Sequence, residues 1–338
     1  MINRRVIVCG IVILLLIILF VCMYNSESFR GIAGGLIPLV KQPSKKKPIV
    51  NTPIEDLRSR LKVFKDFVVP EFLCYNFDIL STVENQGKIC GSCWAFVVSG
   101  VMGDRISIHK NKRFDMSSQH LLQCYNYPDG CDGDTPENVF EWMEATGFKL
   151  TFNRILPYRQ SGDDMLSGGC PSPPPVGIDV KQNSLYRIVN TLDAEEPNQV
   201  DLLENIKNMK IELLESGPFF ATIIVYDDFY NFVEDAPYVS NFLKFVGGHA
   251  ITVVGYVDPL VDPRPGYNDG YWICRNSWGT TWPKGSPPHP GYFTIAMGIN
   301  MCGIESRCGG IDPNISLEDI DPSSTYTSFT KYAAEYEA

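Results

Sequence analysis

The sequence predicts an α+β fold in which a helical first half is followed by a β-rich second half. Between residues 68 and 170 the signals are mainly helical: Trp94 to Ile108 is almost wholly apolar, and Thr135-Pro136 opens a segment that Gly147 closes. A serine at 117 or 118 caps a third segment, which ends at Cys124. Beyond the prolines at 171 and 173–175, the pattern predicts one helix, 200–215, and four strands, 219–225, 249–256, 271–275 and 292–297.

The composition indicates a globular chain whose partner is not nucleic acid. With 338 residues, of which 44% are hydrophobic, the chain can bury one large or two modest cores. Residues 1–66 carry 11 basic and 4 acidic residues, whereas residues 67–338 carry 18 basic and 35 acidic ones. Because the larger part is strongly acidic, it would repel a phosphate backbone.

The N-terminus contains a candidate membrane segment. Val6 to Met23 is an uncharged run of eighteen residues that follows Arg4 and Arg5. It is longer than the roughly 7 to 15 apolar residues of a usual signal peptide, so residues 1–27 are predicted to form a cytoplasmic stub and an uncleaved signal anchor. A cleaved signal peptide is the alternative, and it would make the protein secreted. Both interpretations place the globular part in a lumen or outside the cell.

Three further regions follow from the composition. Residues 28–67 are predicted to form a basic stalk, in which Asn51 to Phe67 could fold as a short amphipathic, pro-like helix. Residues 68–311 form the predicted globular domain. Residues 312–338 are acidic and rich in Ser, Thr and Tyr, which is typical of a flexible tail.

A candidate nucleophile stands at the start of the first apolar helix. Cys93 lies in the stretch Gln86-Gly-Lys-Ile-Cys-Gly-Ser-Cys-Trp-Ala-Phe96. The N-terminus of a helix presents free N–H groups and partial positive charge, so it favours a thiolate and can receive an oxyanion. A thiol nucleophile also needs a nearby base and a group that orients this base.

One of the four histidines suits the role of that base. His249 follows Gly247-Gly248 and opens an apolar strand, so a rigid sheet would hold its imidazole. Asn276 comes 27 residues later and could fix the orientation of the ring through its carboxamide. The other three histidines, His109, His120 and His289, are expected to have structural or solvated positions.

From about residue 70 to 309 the chain resembles the papain-like cysteine proteases. The motifs that carry the resemblance appear in the order of that family. They are Gln86-Gly, Cys90-Gly-Ser-Cys93-Trp94-Ala-Phe96, Ser118-Gln-His-Leu-Leu-Gln-Cys124, Gly130-Cys131-Asp-Gly133, Gly247-Gly248-His249-Ala250, Asn276-Ser277-Trp278-Gly279 and Cys302-Gly-Ile-Glu-Ser306.

The resemblance implies a papain-like fold of two subdomains and a set of catalytic roles. The helical N-terminal half and a β-barrel-like C-terminal half would form a cleft with the active site between them. Cys93 would be the nucleophile, His249 the base and later acid, Asn276 the orienting group, and Gln86 an oxyanion donor. Cys93 and His249 would rest as a thiolate–imidazolium pair that titrates jointly.

The resemblance also implies substrate-binding residues and disulfides. Gly91 and Gly133 would border the substrate, and Trp278 would shield the His249–Asn276 bond. Asp134 replaces a common glycine and would charge the cleft, and Arg307 falls where relatives often form the floor of the S2 pocket, so an acidic P2 residue is expected. The implied disulfides are Cys90–Cys131 and Cys124–Cys170.

Two departures from the family affect these expectations. Gln86 lies one residue further from Cys93 than is common, because Lys88-Ile89 is inserted. The oxyanion site therefore requires this loop to bulge outward. Only about forty residues separate the anchor from the globular domain, too few for a usual helical prodomain.

Several alternatives remain open at this stage. Cys90-Gly-Ser-Cys93 is also a C-x-x-C pattern that could serve redox exchange or half of a zinc site. The chain could be a catalytically silent papain-like binding module or a zinc-holding structural ectodomain. The main expectation is a cysteine peptidase that needs no cofactor and acts on a protein or peptide substrate through an acyl-enzyme. The substrate's identity and the oligomeric state do not follow from the sequence.

Overall fold

The helices and strands occur in the predicted order. A computed structural model describes residues 61–64, 69–125, 129–159, 166–189, 199–259, 270–285 and 287–315. The α-helices in these ranges are α1 (Cys93–Lys110), α2 (Ser118–Cys124), α3 (Pro136–Thr146) and α4 (Gln199–Glu215). The strands are β1 (Phe72–Cys74), β2 (Leu150–Thr151), β3 (Gly177–Ile178), β4 (Tyr186–Arg187), β5 (Phe219–Tyr226), β6 (Phe245–Val257), β7 (Tyr271–Arg275), β8 (Tyr292–Ala296) and β9 (Cys308–Gly310). This arrangement confirms the predicted α+β class.

The helix ends form where the sequence places capping residues. The hydroxyl of Ser117 accepts a hydrogen bond from the His120 N–H at 3.0 Å and so caps α2. Thr135 caps α3 in the same way, immediately before the proline that starts the helix. Gly147 ends α3 in the left-handed conformation, with φ +63°, which glycine adopts without steric cost.

A seven-stranded sheet dominates the second half of the described chain. Its order is β4-β9-β5-β6-β7-β8, and β1 adds to β6 outside this path. All of these pairings are antiparallel. The long strand β6 therefore lies at the centre of the sheet, with β5 on one side and β7 on the other.

Strand β6 begins earlier than the sequence predicts. The expected strand opens at His249, but pairing with β5 already starts at Phe245 and runs through Gly247 and Gly248. His249 therefore lies inside the strand, opposite Ile223, rather than at its end. The sequence places the start of the strand after the two glycines, whereas their pairing with β5 includes them in it.

Helix α1 forms the centre of the hydrophobic core. Its residues from Cys93 to Ile108 are buried, so the helix has no solvent-facing stripe over that length. Side chains of α2 and α3 pack on it, and Phe220 of β5 and Ala250 of β6 belong to the same cluster. The start of α1 is thereby held between the helical half and the sheet.

Two buried ion pairs join α1 to the second half of the chain. Asp104 binds Arg275 of β7 in a bidentate manner, with N–O distances of 2.9 and 2.7 Å. The neighbouring Arg105 binds Glu212 of α4 and donates a further bond to the carbonyl of Pro218 at 2.9 Å. Bidentate arginine pairs fix direction as well as distance, so they set how α1 sits on the sheet.

A helix was predicted from Asn51 to Phe67, but residues 61–64 are not helical in the structure. Leu61 pairs with Arg187 of β4, and the Lys62 N–H donates to the Arg187 carbonyl at 3.0 Å. The ammonium of Lys62 binds Glu212 at 2.7 Å. This segment is therefore extended, because pairing with the sheet edge places Lys62 against a buried carboxylate. The other residues of the predicted helix, 51–60 and 65–67, lie outside the described residues.

The remaining terminal predictions fall partly outside the described residues. The stub and anchor, 1–27, and the stalk up to residue 60 are among the residues not described, so they stay predictions. In the part of the chain that is described, no helix is both long and apolar enough to cross a membrane. At the other end, Asp312 to Ile315 pack on the domain: Asp312 accepts from the Lys181 N–H at 2.9 Å, and the Asn314 N–H donates to the Asp179 carbonyl at 2.8 Å. The packed part of the chain thus extends past the predicted boundary at residue 311.

The packing around α1 predicts the effect of one added methyl group. A glycine-to-alanine change inside a helix usually stabilises a protein by about 1 kcal/mol. At Gly103, however, the new Cβ would collide with the Phe114 carbonyl oxygen and the Ser81 hydroxyl. We expect Gly103→Ala to lower the free energy of unfolding by about 2 kcal/mol, measured by chemical denaturation.

The exposed residue Glu204 on α4 provides the control for this prediction. Glu204→Ala should change the free energy of unfolding by less than about 0.5 kcal/mol. A stability of Gly103→Ala equal to or above that of the original protein would contradict the packing argument.

Candidate active site

Cys93 is the first residue of α1, and its thiol is completely buried. Ser92 precedes it, and the Ser92 carbonyl accepts the first helical hydrogen bonds, from Ala95 at 2.8 Å and Phe96 at 3.3 Å. The backbone N–H groups of Cys93 and Trp94 interact with the sulfur, as does that of Ala250. The predicted position of this thiol at a helix N-terminus is therefore what the structure shows.

His249 and Asn276 form a buried hydrogen bond. The imidazole Nε2 lies 2.8 Å from the Asn276 Oδ1, and both side chains are almost fully excluded from solvent. The same Oδ1 accepts the Ser277 N–H at 2.8 Å, which holds the carboxamide. The Trp278 indole covers the imidazole, with 4.9 Å between ring centroids. The predicted shield thus lies over the predicted bond.

The backbone brings His249 to Cys93. Ala250 follows His249 in β6, and its N–H reaches the Cys93 sulfur. The Nδ1 atom of His249 is buried and has no hydrogen-bond partner in the described structure. In the His249 ring, Nδ1 is therefore without a partner among the described residues, while Nε2 is held by Asn276.

Gln86 lies against both parts of the site. Its side chain is fully buried, and its Oε1 accepts from the Ser277 hydroxyl at 2.7 Å. Its Nε2 points to the Cys90 carbonyl at 3.4 Å, next to the start of α1. Lys88 and Ile89 are exposed, so the inserted residues bulge outward as the oxyanion site requires.

Gly91 and Gly133 border each other beside the site. The Gly91 N–H donates to the Cys131 carbonyl at 2.9 Å. A Cβ on Gly91 would approach that carbonyl to 3.0 Å and the Gly133 nitrogen to 3.4 Å. Gly133 adopts φ +90°, a conformation that favours glycine. Close backbone contact explains why neither position carries a side chain.

The Asp134 carboxylate, which the sequence suggested would charge the cleft, is hydrogen-bonded within its own region of the chain. One oxygen accepts from the Thr135 N–H and from the Asn138 amide, both at 2.7 Å. The other accepts from the Tyr125 hydroxyl at 2.7 Å. The carboxylate is used to complete the start of α3, where the helix dipole and free N–H groups favour a negative charge. Whether this charge also acts on the substrate stays a prediction.

Arg307 is connected to the site through the sheet. Its carbonyl accepts the Thr222 N–H at 2.9 Å, and Thr222 is paired with Ala250 of β6. The Thr222 hydroxyl is buried and lacks a hydrogen-bond partner in the described structure. The backbones of Arg307, Thr222 and Ala250 thus form a row across the sheet, and the Ala250 N–H reaches the Cys93 sulfur.

The disulfides confirm both pairings that the resemblance implied. Cys90 is bonded to Cys131, and Cys124 is bonded to Cys170. The cysteines in the described ranges that form no disulfide are all buried: Cys74, Cys93, Cys274, Cys302 and Cys308.

The disulfides also bear on the alternative readings of the cysteines. Because Cys90 is committed to Cys131, it cannot form a redox pair or a zinc site with Cys93. In the described ranges, one group has a metal-ligand arrangement: His120, Cys124 and Cys170. The second disulfide occupies both of its thiols, so this group does not fit the zinc-holding ectodomain.

Burial opposes charge on both reacting groups. It raises the pKa of the Cys93 thiol to about 11, although the N–H groups of Ala250, Trp94 and Cys93 itself oppose this. Burial lowers the pKa of the His249 imidazole to about 4, against the effect of the Asn276 bond. Each group taken alone is therefore neutral near pH 7, and an ion pair depends on the attraction between the two.

The model of the papain family cysteine proteases matches residues 75–310. The chain belongs to this family. It is 29% identical over 254 residues to a cathepsin B-like cysteine proteinase 4 from Caenorhabditis elegans, covering 70% of this chain and 71% of that protein. It is 33% identical over 232 residues to cathepsin B-like CP3 from Giardia intestinalis, covering 68% of each. The protein is thus a papain-like cysteine protease.

Solved structures show the same fold. Procathepsin B S9 from Trypanosoma congolense has a TM-score of 0.57 and 22% identity, and the alignment covers 83% of this chain and 87% of that one. The digestive procathepsin L 3 of Tenebrio molitor has a TM-score of 0.54 and 21% identity, covering 82% of this chain and 75% of that one. This likeness confirms the papain-like, two-subdomain architecture.

Sequence reasoning missed several residues that support the site of this papain-family protease. Ser277 holds both Gln86 and the Asn276 carboxamide, and its place in the Asn-Ser-Trp motif was the available signal. Tyr230 stacks on Trp278 with 5.3 Å between centroids and 16° between planes. Glu84 lies two residues before Gln86 and accepts from the Asn153 amide at 2.8 Å. No local pattern identifies the last two, since their partners are distant in sequence.

His120 of the protease has the structural position that the sequence predicted. It is fully buried, its Nδ1 accepts the Thr151 N–H at 3.2 Å, and its ring packs on Phe148. Burial lowers its pKa from 6.5 to about 4. The folded chain therefore keeps this imidazole neutral at a pH where the unfolded chain protonates it.

This shift predicts a pH dependence of stability. As pH falls from 6.5 towards 4, the unfolded state binds a proton that the folded state does not, so the free energy of unfolding decreases. In His120→Asn, whose amide oxygen can replace Nδ1 as acceptor, the decrease between pH 6.5 and about 5 should be roughly 2 kcal/mol smaller. Urea denaturation at several pH values measures it. Parallel pH curves for the two proteins would refute the assignment.

Proposed function

We propose that Cys93 is the nucleophile of the peptidase, that His249 is its base and later its acid, and that Asn276 orients His249. The observation that carries this proposal is the buried 2.8 Å bond between His249 Nε2 and Asn276 Oδ1, in the strand whose next N–H reaches the Cys93 sulfur. A nucleophile, a base and an orienting group are the three parts of a thiol-protease site.

The proposed reaction passes through a covalent acyl-enzyme. The Cys93 proton moves to His249 Nδ1, and the sulfur attacks the peptide carbonyl carbon. The resulting oxyanion is received by the Cys93 N–H and the Gln86 amide. The C–N bond then breaks, and His249 returns the proton to the leaving amine. Water, deprotonated by His249, hydrolyses the thioester and restores the thiol.

We propose that Cys93 and His249 rest as a thiolate–imidazolium pair despite their burial. Desolvation penalises each charge, but two opposite charges in one site attract each other strongly where water is excluded. The helix N-terminus and three backbone N–H groups favour the thiolate, and the Asn276 oxygen favours the imidazolium. Because the charges depend on each other, the two groups titrate jointly.

The proposed location follows from the N-terminus and the disulfides together. An uncharged run of eighteen residues near the N-terminus would anchor the chain in a membrane. Two disulfides are typical of an oxidising compartment. We propose that the peptidase domain works in a lumen or outside the cell, on a protein or peptide substrate.

Covalent labelling tests the proposed nucleophile. An epoxide inhibitor of thiol proteases should alkylate Cys93 in the folded, full-length protein, because the reactive thiolate lies beside an imidazolium that can protonate the opened ring. Peptide mapping by mass spectrometry locates the adduct. Cys93→Ser should abolish both labelling and peptide hydrolysis.

A second buried cysteine provides the control for the labelling. Cys302 is free and buried but lacks a neighbouring base of this kind, so Cys302→Ser should be labelled at Cys93 like the original protein. Folded protein that is not labelled at Cys93 would instead indicate the catalytically silent binding module.

The row of Arg307, Thr222 and Ala250 predicts substrate preference. We propose that the Arg307 guanidinium, together with the unpartnered Thr222 hydroxyl, binds an acidic P2 side chain better than an apolar wall would. We expect Arg307→Ala to lower kcat/KM for a peptide with Glu at P2 by about tenfold, which a single charged hydrogen bond can supply. A peptide with Leu at P2 serves as the reference.

The comparison of the two peptides decides this assignment. The Leu peptide should change by less than about twofold, because it makes no charged contact. A P2 library in which Asp and Glu rank last, or an unchanged ranking in Arg307→Ala, would show that Arg307 does not face the P2 side chain.

A further inference from the structure

A small polar cavity borders Asn276, the residue that bonds His249. Its volume is about 20 Å³, and its polar lining consists of Thr82, Glu84, Thr252, Arg275, Asn276 and Ser277. A cavity needs about 10–15 Å³, measured in this way, and two to four polar partners to hold a water molecule. This cavity meets both conditions for one water.

The Asn276 side chain has one end satisfied and one end free of partners. Its Oδ1 accepts from Ser277 and bonds His249. Its Nδ2 is buried and has no hydrogen-bond partner in the described structure. A buried donor without an acceptor is costly, so an ordered water is the expected partner of such a group.

Glu84 is a lining group that can accept a hydrogen bond from such a water. The Thr82 hydroxyl already donates to Asp115 at 3.1 Å, and the Ser277 hydroxyl to Gln86 at 2.7 Å. The Arg275 guanidinium is occupied by Asp104 and the Ser81 carbonyl. Glu84 receives the Asn153 amide on one oxygen, at 2.8 Å, which leaves acceptor capacity on its carboxyl group.

The backbone around Glu84 keeps the carboxyl group in place. The Glu84 carbonyl accepts the Gly279 N–H at 3.0 Å, immediately after Trp278. Gly279 has φ +75°, and a Cβ there would press on Asn85. Glu84 is therefore fixed between the turn that follows the shielding indole and the strand segment that leads to Gln86.

We propose that one water occupies this cavity, accepts a hydrogen bond from Asn276 Nδ2 and donates one to Glu84, so that Glu84 is a positioning residue for the His249–Asn276 bond. The proposal rests on the catalytic roles given above. It adds a residue that touches neither the substrate nor the reacting atoms.

With the Ser277 N–H on Oδ1, the water on Nδ2 would help to fix which end of the Asn276 amide meets the imidazole. If the amide rotated by half a turn, Nδ2 would face the His249 Nε2–H, and two donors would oppose each other. A partner at Nδ2 makes that rotation unfavourable. His249 then keeps its Nε2 proton on Asn276, and its Nδ1 stays available for the Cys93 proton.

The electrostatic surroundings of Glu84 agree with a role beyond packing. Burial raises its pKa to about 7, a shift that Asp115 increases and that the Asn153 bond and Arg275 oppose. Arg275 is itself neutralised by Asp104 of α1. Ionisable groups whose pKa is strongly shifted by burial and by neighbouring charges are often functional.

Two substitutions at Glu84 test the proposal by kinetics. Glu84→Gln keeps an acceptor for the water, so its kcat should stay within about threefold of the original protein. Glu84→Leu removes the acceptor and fills space, so its kcat should fall about tenfold while KM changes less than twofold, since a misplaced base slows chemistry rather than binding. Rates are expressed per site titrated with the epoxide label, which corrects for unfolded protein.

A buried carboxyl far from the site provides the matched control. Glu144 accepts from the Ser184 and Leu185 N–H groups at 2.7 and 2.8 Å. Glu144→Leu should lose stability but keep its kcat per titrated site. The proposal is overturned if Glu84→Leu retains full kcat, if Glu144→Leu loses as much, or if Glu84→Gln is as slow as Glu84→Leu.

A crystal structure tests the water without any activity measurement. At high resolution a water should lie about 3 Å from both Asn276 Nδ2 and a Glu84 oxygen. An empty cavity, or a water that does not contact Glu84, would refute the proposal even if Cys93 is the nucleophile. Conversely, an inactive original protein with this water in place would refute only the catalytic roles.

Discussion

The buried pair of Asp104 and Arg275 is the constraint on which the site depends. It joins the helix that begins with Cys93 to the strand that ends just before Asn276. Gly100 lies where the guanidinium crosses the helix, and a Cβ there would collide with it. A buried ion pair adds little net stability because both charges lose water, but its geometry admits one alignment. The two elements that supply the nucleophile and the orienting amide are thereby held in one register.

Aromatic side chains exclude water from the catalytic groups. Trp278 covers the imidazole, Tyr230 stacks on Trp278, and Phe229 packs against the edge of that indole. Such a wall strengthens every electrostatic contact inside it and makes each isolated charge expensive. The catalytic groups therefore rely on fixed partners, which are backbone N–H groups for Cys93 and a carboxamide for His249. The same wall leaves few routes by which solvent can replace those partners.

The features that could be predicted were those that short stretches of sequence determine. Caps, prolines and glycines marked the helix ends, and the motifs around Cys93, His249 and Asn276 identified residues that the fold does bring together. Contacts between distant residues outside these motifs and the two implied disulfides were not predictable. The carboxylate of Asp134 accepts hydrogen bonds from Tyr125 and Asn138, at the start of α3. Lys62, which was expected in a helix, instead binds Glu212. Strand β6 begins before its predicted start because its upstream residues pair with β5.

The position of Lys62 has a consequence for how the chain can be processed. Lys62 and Arg105 both bind the fully buried Glu212, whose pKa their charges hold below its usual value. Removal of Lys62 would take one of two cations from a carboxylate that water does not reach. Cleavage before Leu61 would spare this cluster, whereas cleavage after Lys62 would open it. The contacts of the segment Leu61 to Phe64 therefore make it a structural part of the domain on which it packs.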